Sequence, residues 1–105
     1  MPILQASDTD FQQILSTNEK VVVKYYADWC GNCRLFSPKF KRMADNEQFK
    51  DVTFVDVNAE LSPEARKAAG VTNLPFFAVF KNGQLVDTVA ASKEEAVTSL
   101  IQKLN

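Results

Sequence analysis

Histidine is absent from the sequence, and cysteine is scarce. Cys–His nucleophiles, Ser–His–Asp triads and imidazole-containing zinc sites all need the missing side chain and are excluded. The two cysteines, Cys30 and Cys33, are three positions apart, so a secreted scaffold held by several disulfides is excluded as well. One redox pair or part of one metal site remains.

Excess charge and long apolar runs are also missing. The chain has 12 Lys and Arg against 13 Asp and Glu, so no basic field attracts nucleic acid or anionic lipid. No segment is long enough to span a bilayer, and the start MPILQASDTD lacks the basic and apolar regions of a secretory leader. We therefore expect a cytoplasmic protein with neither nucleic acid nor membrane as a partner.

The rest of the composition is that of an ordinary globular protein. Its 105 residues are 46% apolar and 24% charged, which suits one core of moderate size. No repeat, low-complexity tract or flexible linker divides the chain. We expect a single domain over residues 1–105.

Apolar patterns predict strands that alternate with helices. Helices are expected to begin near Ser7, Cys30, Pro63 and Ser92, and the strand candidates are PILQA, KVVVKYYA, DVTFVDVN, FFAVFK and QLVDTVA. The order is βαβαβαββα, an α/β domain.

Local signals predict where these elements begin and end. Three serines are expected to cap helices, namely Ser7, Ser62 and, in capping-box spacing with Glu95, Ser92. Gly70 is expected to end the third helix, and Asn82-Gly83 predicts a tight hairpin. Pro38 is expected to kink the second helix.

Cys30 and Cys33 fall at a strand-to-helix junction. A cysteine at a helix start faces unpaired N–H groups and the positive end of the helix dipole, which favour its thiolate. Cys33 follows one turn later, within reach of a disulfide. Gly31 permits a tight turn and a close substrate backbone, and Trp29 offers an apolar surface. This pattern predicts a redox pair.

Two other interpretations of the cysteines stay open. Both thiols could be buried structural side chains, although cysteines at helix starts are seldom inert. A zinc ion or iron–sulfur cluster needs about four ligands, and this chain offers two thiolates, so such a site would require a second chain or outside thiols. No metal or organic cofactor is expected.

The segment YADWCGNC, with Pro38 after it and with LPFF and FKNGQLV downstream, resembles the thioredoxin family over nearly the whole chain. The resemblance implies the thioredoxin fold, a mixed five-stranded sheet flanked by helices. It also implies that Cys30 attacks substrate, that Cys33 resolves the mixed disulfide, and that Trp29 is the tryptophan of the motif.

The same resemblance assigns a cis-proline to Pro75, facing the disulfide. A cis Leu74-Pro75 bond would leave the main chain of Leu74 free to pair with an extended substrate.

Two departures from the family pattern concern the redox chemistry. Asn32 stands where the family has proline, which restores an N–H, loosens the turn and predicts a less reducing disulfide. Lys24 stands where the family has a buried aspartate that assists the resolving cysteine. Near Cys33 its charge would favour the thiolate; alternatively it extends to solvent from a strand end or pairs with Asp56.

Two further departures concern substrate binding. Phe76 replaces the usual threonine after the cis-proline, and Val89 falls where the family has a glycine on the substrate surface. Either could add apolar bulk to a binding groove, and Phe76 could equally fill the core.

These observations predict a thiol–disulfide oxidoreductase that reduces protein disulfides through a Cys30/Cys33 cycle. Its expected partners are disulfide-containing proteins and a reductase or small thiol that supplies electrons, and a monomer is expected. The alternative is a redox-sensing binding module on the same fold, with weak catalysis.

Overall fold

The computed structural model describes residues 2–105, which form a mixed sheet between helices. The strands are β1 (Leu4–Ala6), β2 (Lys20–Tyr26), β3 (Thr53–Asn58), β4 (Phe76–Lys81) and β5 (Gln84–Val89). The helices are α1 (Phe11–Thr17), α2 (Gly31–Ala44), α3 (Pro63–Ala69) and α4 (Glu94–Gln102), with a short 3-10 helix at Glu47–Phe49. The predicted order of elements is confirmed. Within residues 2–105, no helix combines the length and apolarity needed to cross a membrane.

The sheet has the strand order β1-β3-β2-β4-β5. β1, β3 and β2 are parallel, whereas β4 is antiparallel to β2 and β5 is antiparallel to β4. β2 is central and buried from Val21 to Tyr25, as expected for an apolar run without alternation. In its register Lys24 lies beside Asp56 of β3. The mixed five-stranded sheet and the thioredoxin fold are thus confirmed.

Apolar side chains form a core on each face of the sheet. On one face, Phe11 and Leu15 of α1 pack with Val23 and Tyr25 of β2. On the other, α2 and α4 cover β3 and β4 with buried side chains that include Phe36, Phe40, Phe54, Phe77 and Leu100. Burial of each large apolar side chain contributes roughly 1.5–3 kcal/mol, so both helix layers are held firmly. α2 is therefore a rigid support for its own first turn.

Two turn predictions are confirmed by the backbone. Asn82 and Gly83 have φ angles of 53° and 81°, the left-handed values that a tight two-residue hairpin requires. Gly70 caps α3 with a φ of 66°. α2 continues through Pro38 to Ala44.

The serine caps predicted for α1 and α4 are wrong. The N-cap of α1 is Asp10, whose carboxylate accepts a bond from the N–H of Ser7, and Ser7 lies one turn before the helix. The N-cap of α4 is Lys93, which makes no side-chain cap, so Ser92 forms no capping box.

α3 begins where predicted, but its first turn is capped from elsewhere in the chain. Ser62 is the N-cap residue and makes no side-chain cap. Instead the Asp8 carboxylate accepts bonds from the N–H groups of Glu64 and Ala65, at 3.1 and 2.9 Å. A carboxylate is favoured there because the helix start carries unpaired donors and a positive partial charge.

Candidate active site

Cys30 and Cys33 are joined by a disulfide where β2 leads into α2. Cys30 is the N-cap residue of α2 and Cys33 lies in the first turn, with their Cα atoms 5.3 Å apart. The Cys30 N–H donates to the carbonyl of Ala27, which turns the chain from strand into helix. The predicted strand-to-helix junction is therefore confirmed.

The start of α2 is arranged to hold negative charge on Cys30. Its Sγ accepts a bond from the N–H of Cys33 at 3.1 Å, one of the helix-start donors that have no partner within the helix. The same donor and the helix dipole stabilise a thiolate at this position when the disulfide is open.

The space around Gly31 is open, and its backbone does not adopt the left-handed conformation that favours glycine in turns. Its φ lies outside the left-handed region, and a Cβ added there would meet no atom of the described part of the chain within 4 Å. The turn at Gly31 therefore does not use the left-handed conformation that favours glycine, and open space for a substrate backbone is present there. Asn32, the next residue, is exposed on the first turn of α2.

Trp29, the residue before Cys30, presents an exposed aromatic surface. Its side chain is 65% exposed, and its Nε1–H donates to a carboxylate oxygen of Glu60 at 2.8 Å. Glu60 follows β3, the parallel neighbour of β2, so the two residues meet at the same edge of the sheet. Glu60 was not predicted as a site residue from the sequence, although the strand order implies this adjacency.

The Leu74-Pro75 peptide bond is cis, as predicted. Leu74 is partly buried against the cluster formed by Ala27, Cys30 and Cys33, so the loop before β4 closes on the disulfide. The main chain of the loop at Leu74 therefore lies beside Cys30 and Cys33.

Phe76 and Val89 pack elsewhere. Phe76 is buried and makes an edge-to-face contact with Tyr25, 6.2 Å between centroids, so the core-filling alternative accounts for its side chain. Val89 is half-buried against the α2 and α4 side of the sheet and not in the cluster around Cys30 and Cys33. The structure therefore does not place these two side chains with the disulfide.

Lys24 lies inside the protein and does not reach solvent. Its side chain is 2% exposed, and Nζ lies 3.5 Å from Oδ1 of Asp56, so pairing with Asp56 is confirmed and extension to solvent is wrong. Nζ also donates to Oγ of Ser37 on α2 at 2.7 Å. Burial lowers the pKa of Lys24, and the nearby carboxylate opposes that effect.

Asp56 completes a polar chain that reaches the surface. Burial raises the pKa of its carboxyl group, against the opposing effects of Lys24 and Gln5. Gln5 donates to Oδ2 of Asp56, and Tyr26 donates its hydroxyl to Gln5. Ser37, Gln5 and the link through Tyr26 were not predicted from the sequence. Ser37 could have been predicted from the sequence, because a residue four positions after Cys33 lies on the same face of a helix.

No group of three or more His, Cys, Asp or Glu within residues 2–105 is placed to hold a metal ion. A cavity of about 300 Å³ opens beside the disulfide, lined in part by Cys33, Ser37 and Tyr26. Thiol chemistry is what this arrangement supplies.

Comparison with known proteins identifies the family to which this geometry belongs. The thioredoxin family model matches residues 2–103. Thioredoxin 1 of Plasmodium falciparum is 32% identical over 97 residues, 92% of this chain and 91% of that protein. Mitochondrial thioredoxin-3 of Saccharomyces cerevisiae is 31% identical over 96 residues, 91% of this chain and 74% of that protein. A solved structure of Plasmodium falciparum thioredoxin superimposes with a TM-score of 0.87 at 30% identity, covering 96% of this chain and 98% of the other.

The matched region contains the Cys30–Cys33 disulfide at the start of α2. The chain therefore belongs to the thioredoxin family and is a protein thiol–disulfide oxidoreductase.

Proposed function

We propose that residues 1–105 act as one thioredoxin domain in which Cys30 attacks substrate disulfides and Cys33 resolves the product. The observation that carries this division is the helix start, because the N–H of Cys33 donates to Sγ of Cys30. Cys30 is thus the better stabilised thiolate. Both residues are buried, Cys33 at 2% exposed and Cys30 at 5%.

The cycle balances with thiols alone. Cys30 thiolate attacks one substrate sulfur, which forms a mixed disulfide and releases the other sulfur as a thiolate. Cys33 then attacks Sγ of Cys30, which forms the Cys30–Cys33 bond and releases the second substrate thiolate. Two electrons pass to substrate, and a partner reductase or small thiol returns them.

The proposed substrate surface consists of four residues, Trp29, Gly31, Leu74 and Pro75. An extended chain would lie along the loop at Leu74 with its main chain facing the cysteines, supported by the cis bond and the open space at Gly31. Trp29 adds an exposed apolar face, held by Glu60. The substrates are therefore proposed to be extended protein segments around a disulfide.

We propose that the protein acts in the cytoplasm, because the thiol pool there supplies the electrons that the cycle needs. We also propose that it acts as a monomer. One relative is a mitochondrial thioredoxin, so fractionation of cells that express the protein is the direct test. Gel filtration at several concentrations tests the monomer.

Insulin reduction with dithiothreitol tests the catalytic cycle. We expect turbidity from precipitated insulin chains with the wild type and none above background with Cys30→Ser. Cys33→Ser should accumulate a mixed disulfide with substrate, visible by mass spectrometry. A mixed disulfide that forms on Cys33 in the Cys30→Ser variant as fast as on Cys30 would contradict the assignment. A wild type that binds substrates without catalysis would favour the binding module.

A further inference from the structure

Lys24 is a buried charge that the two-thiol cycle does not by itself use. Its nearest polar partner is Oγ of Ser37 at 2.7 Å, and Asp56 lies farther away at 3.5 Å. The ammonium also lies over the rings of Tyr26 and Phe40, 5.8 and 5.3 Å from their centroids. Two π faces and one hydroxyl therefore hold the cation against α2.

A short hydrogen-bond chain connects this cation to the resolving cysteine. Ser37 accepts from Lys24 and donates its own proton to the carbonyl of Cys33 at 3.1 Å. Ser37 follows Cys33 by one helical turn. The ammonium thus lies below the first turn of α2, two hydrogen bonds from the main chain of Cys33.

The pairing of Lys24 with Asp56 does not by itself explain why the charges are buried. Burial shifts the pKa of each group toward its neutral form in spite of the partner. Among residues 2–105, Oδ1 of Asp56 also has no hydrogen-bond partner. A loose buried pair of this kind contributes little to stability, and apolar side chains of similar volume would do as well or better.

We propose that Lys24 is a positioning residue whose ammonium stabilises the thiolate of Cys33 while the mixed disulfide is resolved. The inference rests on the proposed role of Cys33. In that step Cys33 loses its proton to water in the adjoining cavity, and its sulfur attacks Sγ of Cys30. The Cys30–Cys33 bond forms, the bond from Cys30 to substrate breaks, and substrate leaves with the electron pair.

The sign of this effect is opposite to that of a carboxylate. A carboxylate below Cys33 would accept its proton, whereas an ammonium lowers the energy of the charged sulfur directly. Ser37 holds the ammonium in place, and Asp56 is the counter-ion that keeps the proton on Lys24 when Cys33 is neutral. Asp56 on β3 and Tyr26 on β2 are titratable groups beside the ammonium, and β1 contributes the neutral Gln5. Asp28 and Arg34 line the cavity beside Cys33.

An equilibrium titration separates these possibilities without relying on turnover. In Cys30→Ser, Cys33 is the one remaining cysteine, so the NMR shift of its ¹³C-labelled Cβ follows ionisation of that thiol alone. We expect Lys24→Met in this background to raise the midpoint by about one pH unit or more, a tenfold loss of thiolate near neutral pH. Lys20→Met, which removes a half-exposed lysine at the start of the same strand, should leave the midpoint unchanged.

Asp56→Asn identifies which member of the pair acts. Because Asp56 raises the pKa of Lys24, the carboxylate is removed together with Lys24→Arg, whose guanidinium keeps its proton without a counter-ion. The midpoint of Cys33 should then be unchanged or lower than in Lys24→Arg alone, because only negative charge is lost. A higher midpoint would assign the effect to the carboxylate and overturn the proposal, as would an unchanged midpoint in Lys24→Met.

If Lys24→Met fails to fold because Asp56 is left unpaired, a second comparison still tests the proposal. Lys24→Met/Asp56→Asn carries neither charge and should titrate at least about one pH unit above Lys24→Arg/Asp56→Asn, which keeps the cation. Equal midpoints in those two variants would overturn the proposal. Failure of the proposed function looks different, because Cys33→Ser would then accumulate no mixed disulfide whatever the titration shows.

Discussion

Replacing Tyr25 by phenylalanine removes one buried hydroxyl and leaves its aromatic ring in place. The Tyr25 side chain is fully buried, and its hydroxyl donates to the carbonyl of Ala65 at 2.8 Å, which ties β2 to α3. Loss of this bond, with the carbonyl left in a dry site, should cost roughly 1–2 kcal/mol of unfolding free energy. For a domain of this size that lowers Tm by about 5–15 °C.

Tyr26→Phe is the matched control for this experiment. Its hydroxyl donates to Gln5 at 3.2 Å in an exposed position, where water replaces the lost partner. We expect a cost below about 0.5 kcal/mol. Urea unfolding of both oxidised variants at pH 7 provides the measurement. Equal losses in the two variants, or no loss in Tyr25→Phe, would refute the assignment of stability to the buried hydroxyl.

The same hydroxyl predicts a pH dependence. Burial raises the pKa of Tyr25 above its ordinary value of 10.0. The folded state therefore holds this proton when the unfolded chain begins to lose it, so the contribution of the hydroxyl is complete below pH 10 and falls above it. The stability difference between wild type and Tyr25→Phe should shrink as pH rises above 10. A constant difference would contradict this.

Three further predictions concern α2, α3 and Trp29. Asn32→Pro should make the disulfide more reducing, by about 30 mV for each tenfold change in its equilibrium with dithiothreitol; an unchanged potential would remove Asn32 as the cause. Asp8→Ala should cost about 1 kcal/mol in urea unfolding through loss of the α3 cap, and Asp8→Asn should cost less. Glu60→Ala should lower the fluorescence anisotropy of Trp29, the one tryptophan in the chain, and an unchanged anisotropy would show that Glu60 does not restrain it.

Much of the active site was accessible from sequence because its elements are local. A β-branched and aromatic run ending three residues before Cys30 and an apolar helical face after it place the cysteines at a strand-to-helix junction. The Asn82-Gly83 hairpin and the C-cap at Gly70 depend on backbone angles within a few residues. The cis bond at Pro75 came from family resemblance and not from a local signal.

The sequence by itself therefore determined the order of the elements and the redox pair, since each depends on neighbours along the chain. Tertiary structure decided which distant side chains meet. Asp56 reaches Lys24 through strand register, Ser37 reaches it through packing of α2 on the sheet, and Asp8 caps α3 from another segment. Such contacts depend on long-range geometry that local periodicity does not encode.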